Sequence, residues 1–195
     1  MADNKASFPS DDAPLTTSKE DRGEQAREEL IDPQGYALVG KTVTINRPRA
    51  ELYAFWRDFG NLPRFMENVV SVEPVAEGRT HWTVKAPAGK TVEWISAITE
   101  DRPDETIAWT SEEGADVPNS GQVDFRDAPG GRGTRVSVTI LYDPPAGIIG
   151  KAIAKMFQRE PAIQARRDLR RFKQLMETGE IATSAWTRRQ QEEEV

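Results

Sequence analysis

The chain has no cysteine and only one histidine among its 195 residues. The absence of cysteine excludes disulfide bonds, thiolate metal ligands and a cysteine nucleophile. A single histidine, His81, cannot form a histidine metal cluster. Because His81 alternates with Trp82 along a predicted strand, we expect it at the surface. The sequence therefore predicts no metal and no cofactor, and it assigns no catalytic residue.

The chain also lacks a long apolar run. No segment approaches the roughly 20 apolar residues that a membrane-spanning helix needs, and the first residues, MADNKASFPSDD, lack the charged-then-apolar layout of a secretory signal. The spacings G-x-S-x-G, H-E-x-x-H and G-x-G-x-x-G and a Walker-type loop are missing as well. These absences favour a soluble, cytoplasmic protein and a function other than catalysis.

The net charge of −6 is distributed unevenly along the chain. Residues 1–32 carry nine acidic and four basic side chains, whereas residues 145–178 carry eight basic and three acidic ones. Residues 1–34 hold too few apolar side chains to offset the entropy of ordering, so we predict a disordered acidic tail there. A folded domain is expected over residues 35–179, followed by a polar C-terminal tail over residues 180–195.

The periodicity of apolar residues predicts one domain that mixes helices and strands. ALVGKTVTINR alternates as a strand does, and the apolar residues of ELYAFWRDFGNLPRFMENVV predict two short helices, the first ending at Gly60. From Val69 to Tyr142, six strand-like runs are separated by Gly, Pro and Asp, which is typical of an antiparallel meander. A long helix is predicted from about Ile148 to Glu177. The order indicates an α+β helix-grip fold, in which a curved antiparallel sheet wraps around the C-terminal helix.

Several stretches strengthen this interpretation: FWRDFGNLPRFMENV, HWTVKAPAGKTVEW, IAWTSEEGADVPNSGQVDF, GGRGTRV and DLRRFKQLMETGEI. In these stretches the chain resembles the START-like (SRPBCC) superfamily, and within it the bacterial polyketide cyclase/dehydrase-like group, which is similar to coenzyme Q-binding proteins. The resemblance extends from about Leu38 to Ile181. It implies a cavity between the sheet and the long helix, with the two short helices at one end. It does not choose an activity, because one scaffold of this kind hosts carriers, sensors and enzymes.

Large apolar side chains are expected to line that cavity. Trp82 alternates with Thr80, and Trp94 with Ser96, so both indoles are expected on the concave side beside hydroxyl groups. The predicted ligand-binding residues are Phe55, Phe59, Phe65, Met66, Trp82, Trp94, Trp109, Phe125, Tyr142 and Met156. The alternative is an ordinary core, because an apolar helical stripe is usually buried by packing alone.

Three functions remain open at this point. The first is the binding, without catalysis, of a hydrophobic small molecule such as a lipid, a quinone or a polyketide-like aromatic. The second, which the resemblance permits, is an aromatase/cyclase that shapes a polyketide-like substrate with a few polar groups, for which Tyr142, Arg64 and Glu67 are candidates. The third is a membrane-surface or protein-interaction module that uses the basic C-terminal helix.

Four arginines on that helix, Arg166, Arg167, Arg170 and Arg171, would serve the third function. Such a stripe can make a weak contact with an anionic membrane, although charge runs usually face water. Nucleic acid fits worse, because the acidic body repels phosphate and no aromatic platform accompanies the arginines. The sequence leaves the oligomeric state open.

Overall fold

The computed structural model describes residues 29–31, 37–86, 89–142 and 161–182. Its strands are β1 (Glu29–Ile31), β2 (Ala37–Ile45), β3 (Val69–Ala76), β4 (Arg79–Lys85), β5 (Thr91–Arg102), β6 (Thr106–Ser111), β7 (Asn119–Asp127) and β8 (Thr134–Tyr142). Its helices are α1 (Arg49–Arg57) and α2 (Pro161–Thr178), with two 3₁₀ helices, η1 (Phe59–Arg64) and η2 (Pro129–Gly131). No described helix combines the length and the apolar character that crossing a membrane requires.

The strands form one antiparallel sheet in the order β1-β2-β8-β7-β6-β5-β4-β3. Strands β3 to β8 follow one another as a meander, and β2 pairs along its whole length with β8. A register shift between Ile98 and Glu100 interrupts the pairing of β5 with β6, and such bulges bend a strand and increase its twist. The predicted α+β helix-grip fold is confirmed: a curved antiparallel sheet carries the C-terminal helix.

Both α-helices and η1 pack on one face of the sheet, which we call the concave face. One part of this face is fully covered, and five of its strand side chains have no exposed surface: Ile45, Ile107, Val123, Phe125 and Val136. Trp56 of α1 lies 6.3 Å from the ring of Phe125 and 5.1 Å from that of Phe172 in α2. We call this part, in which strands and helices share one aromatic core, the packed half.

Polar contacts hold α1 against the sheet. Arg49 pairs with Asp127 at the end of β7 over 3.0 Å. Asp101 of β5 accepts a hydrogen bond from the Tyr53 hydroxyl and one of 2.6 Å from Arg57 Nε. The helix is therefore fixed to two strands that lie two positions apart in the sheet.

Polar contacts also hold α2, at the opposite end of the chain. Lys173 Nζ donates to the carbonyl oxygen of Thr44 over 2.7 Å, and Arg47 Nε donates to that of Met176 over 2.8 Å. The side chain of Phe172 is completely buried beneath these contacts. The helix is thereby tied to β2 and to the turn that follows it.

The structure differs from the sequence-based expectations in three places. Residues Glu29–Ile31 pair with β2 as a strand, although they fall within the segment predicted to be a disordered tail. The second short helix is a 3₁₀ helix, and α1 ends at Arg57 rather than at Gly60, because the Asp58 side chain accepts a hydrogen bond from Gly60 N and begins η1. Residues 148–160 of the predicted long helix, with Met156, lie outside the described residues, and the domain boundaries stay a prediction.

Candidate functional site

The concave face continues beyond the packed half into a region that the described residues cover only in part. Three apolar side chains there, those of Trp94, Ile98 and Ile140, are half-buried although they point to the same side as the core. Register places them beside Trp82, Trp109 and Gly121 on neighbouring strands. Together with the polar side chains described next, these residues form what we call the open half.

A row of polar side chains crosses the open half from β4 to β8. Thr80 lies opposite Ser96, Ser96 opposite Ser111, and Asn119 opposite Tyr142. The link between β6 and β7 is a hydrogen bond of 2.9 Å from Asn119 N to Ser111 Oγ. Directly paired residues in a sheet point to the same face. The polar row is therefore continuous across five strands: Thr80, Ser96, Ser111, Asn119 and Tyr142.

Tryptophan indoles accompany the polar row. Trp82 Nε1 donates to Thr80 Oγ1 over 3.0 Å, and Trp94 Nε1 donates to Ser96 Oγ over 3.1 Å. Trp109 also lies two residues from a hydroxyl group, that of Ser111. Ser111 Oγ, however, accepts its hydrogen bond from Asn119 N. Buried indoles normally find such partners, so these hydrogen bonds fix the ring orientations of Trp82 and Trp94.

The indoles and one phenylalanine form a continuous aromatic wall. Trp82 and Trp94 face each other directly across β4 and β5 with their rings stacked at 6.1 Å and 9°. Phe59 from η1 lies 6.0 Å from Trp82 and 6.5 Å from Trp109. The wall thus reaches from η1 to β6, in the middle of the sheet.

The predicted ligand-binding residues divide between the two halves. Phe59, Trp82, Trp94, Trp109 and Tyr142 surround the open half, whereas Phe65 and Phe125 have no exposed surface in the packed half.

Two further residues of that prediction are half-buried. Phe55 is 5.8 Å from Phe172, and Met66 also packs against the core.

Of the five residues around the open half, Trp94 is half-buried, whereas Phe59, Trp82, Trp109 and Tyr142 keep only 4–8% of their surface exposed. These four border the open half and do not lie open to it.

The other polar candidates lie apart from the polar row. Arg64 is exposed, with its guanidinium 5.1 Å from the centre of the Phe55 ring, and Glu67 is also exposed. His81 lies 3.5 Å from Glu93 on the opposite face of the sheet. No cluster of three His, Asp or Glu side chains within the described ranges is arranged to hold a metal ion.

The four basic residues are all on α2. Arg167 and Arg170 are exposed, while Arg166 and Arg171 are half-buried. Arg171 Nε is fully buried without a hydrogen-bond partner, so only part of the predicted stripe faces solvent. The membrane contact stays a prediction.

One carboxyl group of α2 has a perturbed pKa. Burial raises the pKa of Asp168 to about 6, against the opposing effect of hydrogen bonds from Glu67 N and Gln164 and of the Arg171 charge. Both hydrogen bonds end on the same oxygen, Oδ1, at 3.4 and 2.9 Å. The group therefore bridges α2 and the segment that follows η1.

A surface depression of about 400 Å³ opens near the junction of β6 and β7. Its walls include Thr110, Ser120 and Leu141, which alternate with the concave residues along their strands. Ser111 and Asn119 of the polar row line the same depression. It therefore adjoins the open half at the junction of β6 and β7.

Four residues of the open half were not among the sequence-based candidates: Ser111, Asn119, Gly121 and Ile140. A signal for Ser111 was present, because the spacing of a tryptophan two residues from a hydroxyl occurs in three runs, THW, WIS and WTS. Gly121 was recognisable only as a glycine inside a strand, away from any turn.

Comparison with known proteins places this geometry in a family. Residues 45–170 match the family described as polyketide cyclase / dehydrase and lipid transport. An uncharacterised 17.2 kDa protein of Streptomyces lincolnensis is 30% identical over 149 residues, which are 76% of this chain and 95% of that protein.

Solved structures share the fold. A protein of Deinococcus radiodurans is 44% identical with a TM-score of 0.61, over 73% of this chain and 98% of that chain. A Thermus thermophilus protein is 27% identical with a TM-score of 0.55, over 71% and 94% of the two chains. An aromatase/cyclase from a Streptomyces species is 17% identical with a TM-score of 0.57, over 75% and 99%, and this likeness shows the fold alone.

Proposed function

Because the chain belongs to the polyketide cyclase / dehydrase and lipid transport family, we propose that it binds a flat, hydrophobic small molecule that carries carbonyl oxygens. The site is the open half of the concave face, and the ligand leaves it chemically unchanged. The observation that carries the proposal is the polar row, which sets hydrogen-bonding groups along an aromatic wall.

The hydrogen-bond inventory of the polar row supports a ligand with acceptor oxygens. A hydroxyl group has one proton to donate and two lone pairs to accept with. The oxygen of Thr80 already accepts from Trp82, and that of Ser111 accepts from Asn119 N. Among the described residues neither hydroxyl finds an acceptor for its own proton, and both side chains are half-buried. These two hydroxyl groups can therefore mainly donate further hydrogen bonds, which suits a ligand carbonyl oxygen.

The aromatic wall supports a flat, apolar frame. Ligand sites are mostly apolar clefts in which a few polar groups fix orientation. Trp94, Ile98 and Ile140 present apolar surface that the packed half does not cover. Covering that surface with a ligand removes it from water, at about 25 cal/mol for each Å².

Binding without turnover is supported by the side-chain chemistry. A serine or threonine acts as a nucleophile only when an adjacent base activates it. Glu112 follows Ser111 in the chain, but both of its carboxylate oxygens accept hydrogen bonds of 2.6 Å from Arg79, so it is not a free base for the Ser111 hydroxyl.

The proposal is tested with two probes that differ only in their carbonyl groups, anthraquinone sulfonate and anthracene sulfonate. Calorimetric titration should show that the parent protein binds the quinone at least tenfold more tightly. Ser111→Ala removes one donor and should reduce that preference several-fold. Ser137→Ala is the matched control, because it removes a hydroxyl that is hydrogen-bonded to Thr42 on the convex face, and it should leave the preference unchanged.

Two results would overturn the proposal. If the parent binds neither probe, the open half is not a ligand site for flat aromatics. If both probes bind equally and Ser111→Ala changes nothing, the polar row does not recognise carbonyl oxygens. Recovery of a chemically altered ligand would instead favour an enzyme of the aromatase/cyclase kind.

A further inference from the structure

Gly121 occupies an unusual place for a glycine. It lies inside β7, opposite Trp109 of β6 and Ile140 of β8. Its φ angle is outside the left-handed region that favours glycine, so the backbone itself would accept any residue. Glycine within a strand weakens it, and it often marks a place where another group approaches closely.

The group that approaches is the indole of Trp109. A Cβ atom on Gly121 would lie 2.6 Å from Cε2 and 2.8 Å from Cη2 of Trp109, and closer still to Cζ2. Ordinary contacts between carbon atoms begin near 3.5 Å, so the ring would have to rise by about 1 Å or more. The missing side chain of Gly121 therefore lets the indole lie against the sheet.

Two neighbours limit where the ring can move. Phe59 lies at 6.5 Å with its ring inclined at 71° to that of Trp109, and it also contacts Trp82. Ile98 lies opposite Trp109 on the other side, across β5. A lifted indole would move away from the sheet, into the space above the concave face.

We propose that Gly121 sets the depth of the ligand site by allowing Trp109 to form its floor. A side chain at position 121 would lift the indole into the site, and a larger flat ligand would lose more of its contact than a smaller one. This inference rests on the proposed function, because it specifies the size of the ligand bound in the open half.

The test compares anthraquinone sulfonate with the shorter naphthalene sulfonate by calorimetric titration. Gly121→Ala should lower the affinity for the three-ring probe at least tenfold and the affinity for the two-ring probe less than threefold. Gly40→Ala is the matched control, since Gly40 also lies inside a strand but an added Cβ would meet nothing within 4 Å. It should leave both affinities within twofold of the parent.

A second background separates the proposed contact from a general effect on the strand. With Trp109→Leu in place, adding Gly121→Ala should change the affinity for either probe less than twofold, because the indole is gone. This comparison carries the test even if Gly121→Ala alone does not fold. An equal loss in both backgrounds would overturn the inference.

Failure of this inference is distinguishable from failure of the proposed function. A parent protein that binds neither quinone nor hydrocarbon probe contradicts the proposed function itself. A parent that binds anthraquinone sulfonate, with Gly121→Ala binding it equally well, contradicts only the role of Gly121 and Trp109.

Discussion

Replacing Asp168 by asparagine should stabilise the protein at neutral pH. Burial raises the pKa of this carboxyl from 3.8 to about 6, a shift of about two units. Each unit corresponds to 1.36 kcal/mol between the protonation states, so the ionised carboxylate costs on the order of 3 kcal/mol of folding free energy at pH 7. That is a large share of the 5–15 kcal/mol by which domains are typically stable.

The direction of the pH dependence follows from proton binding. Between about pH 4 and pH 6 the folded protein holds the Asp168 proton more tightly than the unfolded chain does. Its stabilising contribution is fully present below pH 4, falls as the pH rises through about 6 and is constant above that. The neighbouring charges act in opposite senses, since Glu67 raises the pKa and Arg171 lowers it.

Asparagine suits the test because it removes the charge and keeps the acceptor. Both hydrogen bonds to Asp168, from Glu67 N and Gln164 Nε2, end on Oδ1, which an amide oxygen can replace. Urea unfolding followed by tryptophan fluorescence should give nearly equal free energies for Asp168→Asn and the parent at pH 4. The variant should become more stable by about 2–3 kcal/mol at pH 7.

The control for this experiment is Glu73→Gln, which removes an exposed carboxylate of β3. Exposed surface substitutions usually change stability by no more than about 0.5 kcal/mol, so the control should stay within that range of the parent. If the free energy of Asp168→Asn runs parallel to that of the parent between pH 4 and pH 7, the carboxyl does not carry a raised pKa and the reasoning from its burial is refuted.

Three further predictions concern packing, titration and the basic helix. Phe172→Ala, in the packed half, should lower the free energy of unfolding by about 3–5 kcal/mol, and Trp94→Ala, in the open half, should lower it by clearly less. If urea unfolding gives equal losses of free energy for the two variants, the division of the concave face is contradicted. Burial and the hydrogen bond to Asp101 raise the pKa of Tyr53 to about 12. Tyr53→Phe should therefore remove a step near pH 12 from an ultraviolet titration of the tyrosines, and the stabilising effect of this proton in the parent should be lost as the pH rises from 10 through 12; an unchanged titration curve would refute this. Sedimentation with anionic vesicles should detect at most weak binding that disappears by about 0.5 M salt, because the screening length is then near 4 Å; salt-resistant binding would contradict this prediction.

Much of the sheet could be predicted because its signal is local. Alternation placed Trp82 beside Thr80 and Trp94 beside Ser96 on the concave face, and the register confirms both placements. The register shift after Ile98 could not be seen in the sequence. It places Asp101 opposite the buried Ile107 and towards α1, where it binds Tyr53 and Arg57.

The division of the concave face could not be predicted either. Phe125 and Trp94 both lie in strands in which apolar and polar residues alternate, yet Phe125 is fully buried and Trp94 is half-buried. The difference arises from where α1 and α2 dock, and that docking depends on contacts such as Lys173 with Thr44, 129 residues apart. Side-chain periodicity assigns a residue to a face of the sheet, but it does not say which part of that face a helix will cover.

The two halves follow different rules of construction. In the packed half most strand side chains are buried Ile, Val and Phe, and the one hydroxyl among them in the described residues, that of Thr134, donates to the Arg47 carbonyl oxygen. In the open half two of the same strands, β6 and β7, carry Ser111 and Gly121, which weaken a core because hydroxyl groups need partners and glycine adds no packing. Sequences depart from locally favourable choices mainly at functional sites. The change from apolar to hydroxyl and glycine positions within β6 and β7 therefore supports the proposed ligand site by an argument that does not depend on family membership.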